Sequence, residues 1–195
     1  MRNALLLVAV RRPEHGKTRA FSVPPFDFGT PDPYGMVGES QAIWALREEL
    51  AVTARAGMHV LIHGPSGAGK ELAARAIHGM SSRAHRPLIA RNAATFTESL
   101  IDAELFGNIR NFPNVGTPER PGLIGEADRS SLFLDEIGEL PSHMQAHLLR
   151  VIDRDGEYTR LGESKPRKAD IRLIAATNRP VESLKHDFAA RLTTR

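Results

Sequence analysis

The alternation of apolar and polar positions becomes regular only from Val37 onward. Ser40 precedes a stretch in which Ile43, Leu46 and Leu50 recur at three- and four-residue intervals, which predicts a capped helix with one apolar face. The apolar run over 58–63 ends in a glycine-rich turn and predicts a buried strand, and the alanine-rich stretch 70–80 predicts a helix. Further on, strands are expected over 87–91, 131–134 and 171–176. Helices are expected over 98–106, over 142–153 with Met144, Leu148, Val151 and Ile152 turned inward, and over 181–192. Strands alternating with helices predict an α/β fold, a parallel sheet with helices on both faces.

The first 36 residues do not share this pattern. They carry Pro13, Pro24, Pro25, Pro31 and Pro33 with Gly16, Gly29 and Gly35, and from Arg11 read as an arm or linker. The division expected is therefore 1–36 as arm and 37–195 as core. The apolar run over 4–10 is too short to span a bilayer. Arg11-Arg12-Pro13-Glu14 follows it without a small-residue cleavage pattern, so it reads as a strand or packing segment. A chain of 195 residues has room for one α/β domain, or a domain and a fragment of another. The net charge of +3 is too small to imply nucleic-acid binding. Cysteine is absent, which removes disulfides, thiolate chemistry and Cys-based zinc sites and agrees with a cytoplasmic location.

Candidate chemistry centres on Gly64-Pro65-Ser66-Gly67-Ala68-Gly69-Lys70, which fits G-x-x-x-x-G-K between a predicted strand and a predicted helix. Glycines at this spacing let backbone N–H groups curl around phosphates, and the following helix aims its N-terminus at the same anion. Lys70 would reach the β- and γ-phosphates of ATP. Position 71 is Glu71 rather than the Ser or Thr that places a hydroxyl on Mg²⁺. The metal must then rely on Leu132-Phe133-Leu134-Asp135-Glu136, a strand ending in two acids. Asp135 would hold Mg²⁺, directly or through water, and Glu136 would orient the attacking water. The plainer readings are a glycine-rich turn without ligand and an acidic strand end that caps the next turn.

With these motifs occur Val37-Gly38-Glu39-Ser40, Glu104-Leu105-Phe106-Gly107, Met144-Gln145-Ala146-His147-Leu148-Leu149-Arg150-Val151 and Ala175-Ala176-Thr177-Asn178, in order. Together the set resembles the central AAA+ domain of bacterial sigma-54-dependent activators, over roughly 37–195. In that family Glu71 is the usual residue after the motif lysine. The resemblance implies a P-loop NTPase fold of AAA+ type that hydrolyses ATP as a homo-oligomeric ring acting on sigma-54 RNA polymerase. It assigns Asn92 to restraining Glu136, Asn178 to sensing the γ-phosphate, and Arg191 to a finger reaching a neighbouring subunit's ATP. Lys185 occupies a second finger position, where a lysine lacks the planar fork of arginine.

Two departures stand out. Where the family places its GAFTGA loop this chain has Asn111-Phe112-Pro113-Asn114-Val115-Gly116, with Pro113 and Asn114 in place of Phe and Thr. Pro118 and Pro121 follow, and so stiff a loop is not expected to make the family's contacts with sigma-54. The sequence also stops at Arg195, before a helical lid or a DNA-binding domain would appear. Two alternatives to a ring ATPase therefore stay open: an ATP-binding docking module with little turnover, and a non-functional remnant. The sheet order that the resemblance implies leaves the strand over 58–63 at an edge. Association through that edge is expected unless residues 5–10 cross over to cover it. His143 and His147 share a helix face without the pattern of a zinc site, and the basic residues Arg150, Arg154, Arg160, Lys165, Arg167 and Lys168 read as a solvated surface.

Overall fold

The computed structural model describes residues 6–8, 26–27, 29–153 and 156–193. Its elements are β1 (Leu6–Val8), α1 (Gln41–Ala56), β2 (Val60–His63), α2 (Lys70–Gly79), β3 (Ile89–Asn92), α3 (Ile101–Phe106), α4 (Gly122–Glu126), β4 (Ser131–Asp135), α5 (Ser142–Ile152), β5 (Glu157–Tyr158), β6 (Arg167–Lys168), β7 (Arg172–Thr177) and α6 (His186–Thr193). The main sheet has the order β1-β2-β7-β4-β3. β2, β7, β4 and β3 run parallel, whereas β1 joins β2 antiparallel with Leu6 opposite His63 and Val8 opposite Leu61. The outer edge of β2 is thus covered by the chain's own segment, and association through an open edge, expected above as one outcome, loses its basis.

Alternation along the strands sorts the core into two layers. Val60, Ile62, Phe133, Ile174 and Ala176 face α1 and α2, where Leu50, Ala73, Ala74 and Ile77 meet them. Leu61, Leu132, Leu134, Leu173 and Ala175 point the other way, against Met144, Leu148 and Val151 of α5 and Phe188 and Leu192 of α6. Residues two apart on a strand share a face, so one sheet feeds two helix layers. Ser40 caps α1 as its sequence predicts, its hydroxyl accepting the Ile43 N–H at 3.4 Å.

The arm does not stay apart from the core. Asp32 and Arg47 of α1 form a buried ion pair at 3.0 Å, both side chains fully covered. The Asp32 carboxylate also accepts the N–H groups of Tyr34 and Met36, and Arg47 donates to the Gly38 and Met36 carbonyls. With its donors and acceptors satisfied, the pair ties 32–38 to α1 instead of leaving a bare charge in the interior. Trp44 stacks on Phe26 at 5.5 Å, with the Arg47 guanidinium over both rings. Tyr34 lies so close over Gly79 that a Cβ there would come within 2.5 Å of its ring. Pro13, Pro24, Pro25 and Arg154 lie outside the described residues.

Below the sheet, Arg172 at the start of β7 is buried and donates to the Thr53, Ala54 and Met58 carbonyls at 2.7–3.0 Å. The Thr53 and Ala54 carbonyls lie in the last turn of α1, where a helix leaves acceptors unmet and its dipole favours a cation, and Met58 follows two residues past its end. Burial, with Arg83 nearby, lowers the Arg172 pKa to about 10, still charged at neutral pH.

His59 lies alongside. Its Nδ1 accepts the Leu173 N–H at 3.0 Å, so its Nε2 carries the proton and donates to the Ile152 carbonyl at 3.0 Å. Burial lowers its pKa, and a second proton would set Nδ1–H against Leu173 N–H. His78, held by Ser131 and the Arg86 carbonyl, is shifted down in the same way. A pKa below the unfolded value contributes stability that is full above about pH 6.5 and lost as pH falls through the folded value. The melting temperature should therefore drop on acidification below about pH 6.5. The drop should be shallower in His59→Gln and shallower again with His78→Gln added. Equal pH slopes for all three chains would discount the histidines.

Candidate functional site

The 64–70 turn connects β2 to α2 at the C-terminal end of the parallel strands. Gly67 and Gly69 have φ of 76° and 85°, values that side chains with a Cβ rarely adopt. Among the described residues no acceptor takes the N–H of Gly67, Gly69 or Lys70, so these donors line the turn at the start of α2. Lys70 is buried, its ammonium 3.3 Å from the Gly64 and Pro65 carbonyls and 3.6 Å from Glu136 Oε1. Glu71 turns to solvent and pairs with Arg75 at 2.7 Å, away from the turn.

Sheet register brings the other candidates to the same end. His63 pairs with Thr177, and the Gly64 N–H donates to the Thr177 carbonyl at 3.2 Å, so Asn178 follows directly beside the phosphate turn. Asn92 stands opposite Asp135 at the ends of β3 and β4. Asp135 Oδ1 accepts the Glu136 N–H at 2.9 Å, which leaves Oδ2 for a hard cation. Magnesium keeps several waters and takes one or two carboxylates with substrate phosphates. A single aspartate beside a phosphate turn fits that habit. No cluster of three or more His, Asp or Glu among the described residues could hold a metal alone.

Glu136 is a non-glycine residue in the left-handed region, at φ 50° and ψ 46°. Such a conformation costs on the order of 1–2 kcal/mol and persists where neighbours fix it. Here Asn178 N–H donates to Oε2 at 3.2 Å while Lys70 holds Oε1. The resemblance assigned the restraint of Glu136 to Asn92, but the Asn92 side chain accepts the Ala94 N–H at 2.9 Å and caps the turn over 93–95. The partners that Glu136 has here are Asn178, just after β7, and Lys70 at the start of α2.

Arg191 lies at the far end of the sheet. It contacts Asp153 at the end of α5 and shares a cleft of about 720 Å³ with Met58, His59, Arg83 and Asp170, all near the N-terminal ends of the strands. It is therefore remote from the phosphate turn of its own chain. Lys185, at the start of α6, is exposed, and its N–H is taken by the Gln145 carboxamide oxygen at 2.9 Å. Gln145 also donates to the Leu140 carbonyl and so fixes how α6 begins against α5. In sequence Gln145 stands within a motif, and the signal for its role is a polar residue in the buried stripe of a helix.

The stretch 108–118 folds into a closed loop. The Asn108 amide donates to the Ile109, Phe112 and Pro118 carbonyls, and Asn111 Oδ1 accepts the Gly116 N–H at 2.9 Å. Phe112 lies against Gly162 on one side yet stays 36% exposed, and Val115 at the tip is 96% exposed. Ion pairs tie this loop to the β5–β6 hairpin. Arg160 meets Glu119 at 2.5 Å and Glu163 at 3.1 Å, and Arg167 grips Glu163 with two hydrogen bonds. Hydrogen bonds from both arginines hold the Glu163 pKa down at about 2. Arg160 is buried, so part of the basic stretch read as solvated surface is an internal clamp. His143 and His147 pack edge-to-face, and His147 does so with Phe106.

The model of the Sigma-54 interaction domain family matches residues 36–195. The chain is 47% identical over 144 residues to the nitric oxide reductase transcription regulator NorR2 of Cupriavidus necator, covering 74% of this chain and 27% of that protein. It is 46% identical over 150 residues to the transcriptional regulatory protein ZraR of Escherichia coli, covering 77% of this chain and 34% of ZraR. The chain thus spans about a third or less of these relatives. The crystal structure of NtrX from Brucella abortus superposes with a TM-score of 0.74 at 37% identity, over 82% of this chain and 37% of NtrX. A further structure of NtrX is a complex with ATP and superposes with a TM-score of 0.73. A P-loop core of AAA+ type and a set of transcription regulators as relatives lead to one conclusion: the chain belongs to the Sigma-54 interaction domain family.

Proposed function

We propose that this chain binds Mg-ATP at the 64–70 turn and hydrolyses it as a cytoplasmic, ring-forming transcription-regulator ATPase. The observation that carries the reading is the placement of groups at opposite ends of one sheet. Lys70, Asp135, Glu136 and Asn178 gather at the end where β2, β4 and β7 stop. Arg191 sits at the other end, so an arginine finger at that position would serve a neighbour's nucleotide. In this reading the N–H groups and Lys70 hold the phosphates, Asp135 holds Mg²⁺ and Glu136 orients water. Mg²⁺ held there by Asp135 with the nucleotide would neutralise phosphate charge. Asn178 positions Glu136 through its backbone N–H, and its side chain would sense the γ-phosphate as the resemblance implies. A relative solved with ATP supports nucleotide binding here.

Specific ATPase activity measured across a concentration series tests the reading. Activity per subunit should rise with protein concentration as subunits assemble. Nucleotide binding without turnover at any concentration would favour a docking module, and neither would favour a remnant.

We also propose that the 108–118 loop does not remodel sigma-54 polymerase. Pro113 and Asn114 replace Phe and Thr, and one side of Phe112 lies against Gly162. Open-complex formation with sigma-54 holoenzyme should stay at background, and formation above background would reverse this reading.

A further inference from the structure

We propose that Gln145 is a positioning residue: its buried carboxamide joins the segment that follows Glu136 to the start of α6, and so sets where Arg191 stands. This role rests on the reading of Arg191 as a finger for a neighbouring subunit's nucleotide. Gln145 is 3% exposed, a polar side chain beside Met144, Leu148, Val151 and Ile152 on the buried side of α5. Burying an amide is costly unless both its ends are bonded. Both are bonded here. Nε2 donates to the Leu140 carbonyl at 3.0 Å, and Oε1 accepts the Lys185 N–H at 2.9 Å. The amide has one workable orientation, because the carbonyl requires a donor and the N–H an acceptor.

The two groups it joins end two segments that leave the candidate site. One runs from Glu136 through the turn Ile137–Glu139 to Leu140. The other runs from Asn178 through the turn Val181–Ser183 to Lys185, whose carbonyl accepts the Ala189 N–H and so opens α6. Arg179 makes a second, more exposed link between them, to the Gly138 carbonyl at 3.1 Å and to Glu139 at 2.6 Å. On α6 itself, Phe188 and Leu192 stand one turn apart and are buried in the core. Apolar packing fixes which face of the helix is covered, but it is non-directional and holds position along the axis poorly. The bond from Lys185 to Gln145 fixes where the helix begins. Arg191 lies six residues on, about 9 Å along the axis, so a shift at the start is carried to the guanidinium. A misplacement of about 1 Å costs a reacting group on the order of 100-fold.

The test uses the full chain as parent, Gln145→Met, Arg191→Ala and Gln145→Met/Arg191→Ala. Methionine matches glutamine in length and offers no donor and only a weak acceptor. Amide hydrogen exchange at Lys185 in Gln145→Met should quicken about tenfold or more, because that N–H loses its acceptor. ATP affinity should stay within about twofold of the parent, since the 64–70 turn is untouched. At a concentration where subunits assemble, kcat should fall about tenfold or more. Adding Gln145→Met to Arg191→Ala should lower kcat no further, because both changes remove the same function.

Unchanged exchange at Lys185, a loss of ATP affinity as large as the loss of kcat, or kcat losses that multiply in the double variant would each overturn the proposal. Undiminished kcat in Arg191→Ala, or no turnover in the parent, would overturn the finger reading and this proposal with it. That failure is told apart from a failure of Gln145 alone, because Arg191→Ala leaves α5 intact. If Gln145→Met unfolds by circular dichroism, Gln145→Asn replaces it. Its amide is one methylene too short to keep both bonds, and it should meet the same expectations for exchange, affinity and non-additivity.

Discussion

Lys70→Ala should lose nucleotide-induced stabilisation. In the parent, Mg-ATP at a hundred times its Kd adds about 2.7 kcal/mol by mass action. For a domain of this size each kcal/mol is worth about 2–4 °C, so the parent's melting temperature should rise by roughly 5–11 °C. Lys70 is the buried cation of the phosphate turn, held over the Gly64 and Pro65 carbonyls. Hydrogen bonds to charged groups contribute about 1.5–3 kcal/mol each, and losing two of them weakens binding by on the order of 100-fold or more. The variant should then show a shift within error at the same ATP concentration, read by thermal denaturation. Circular dichroism without nucleotide controls for folding. Equal shifts in variant and parent would remove the phosphate site from this turn.

Glu136→Gln should separate binding from turnover. A positioned general base contributes about 10²–10⁴-fold, so kcat should fall at least 100-fold. Binding should hold or tighten, for a reason specific to this structure. Glu136 Oε1 lies 3.6 Å from the Lys70 ammonium, while Oε2 accepts the Asn178 N–H. A glutamine retains an acceptor for that N–H but gives up the charge competing with phosphate for Lys70. ATP affinity measured by titration should stay within about threefold of the parent or exceed it, a change of roughly 0.7 kcal/mol or less if it weakens. Asp135→Asn should lower both affinity and turnover, because its carboxylate is the proposed metal partner. Undiminished turnover in Glu136→Gln would assign water activation to another group.

How much of this was legible in the sequence follows from the range of each interaction. Local pattern was enough for β2, α2, β4, α5 and β7, whose apolar periodicity and flanking turns state their element type within a few residues. The phosphate turn was equally legible. Its glycines at 67 and 69 take positive φ in the structure because the backbone itself must curl there, and that demand is written in residue type. Asp135 and Glu136 were found as a strand end, since their role depends on position along one strand.

What the sequence left undecided depends on contacts between distant segments. Asp32 lies in a proline- and glycine-rich stretch that reads as an arm. Its pairing with Arg47 buries it, and that attraction joins residues whose separation carries no periodic signal. The partners of Glu136 depend on register in the same way. Asn92 stands opposite Asp135 on β3 with its Oδ1 accepting the local Ala94 N–H, while sheet register delivers the Asn178 N–H to Glu136 from 42 positions away. Arg160 shows the same limit: charge alone reads as surface, and only the approach of Glu119 and Glu163 makes it an internal clamp. The pairing of residues 6–8 with β2 was foreseen as one of two outcomes, because an aliphatic run is readable but the strand it meets is not. Sequence by itself determined β2, α2, β4, α5, β7, the glycine turn between β2 and α2 and the acidic end of β4, all governed by neighbours along the chain. Tertiary structure decided the partners of Asp32, Glu136, Arg160 and β2, because hydrogen bonds and ion pairs between remote segments form only once the sheet has fixed their distance.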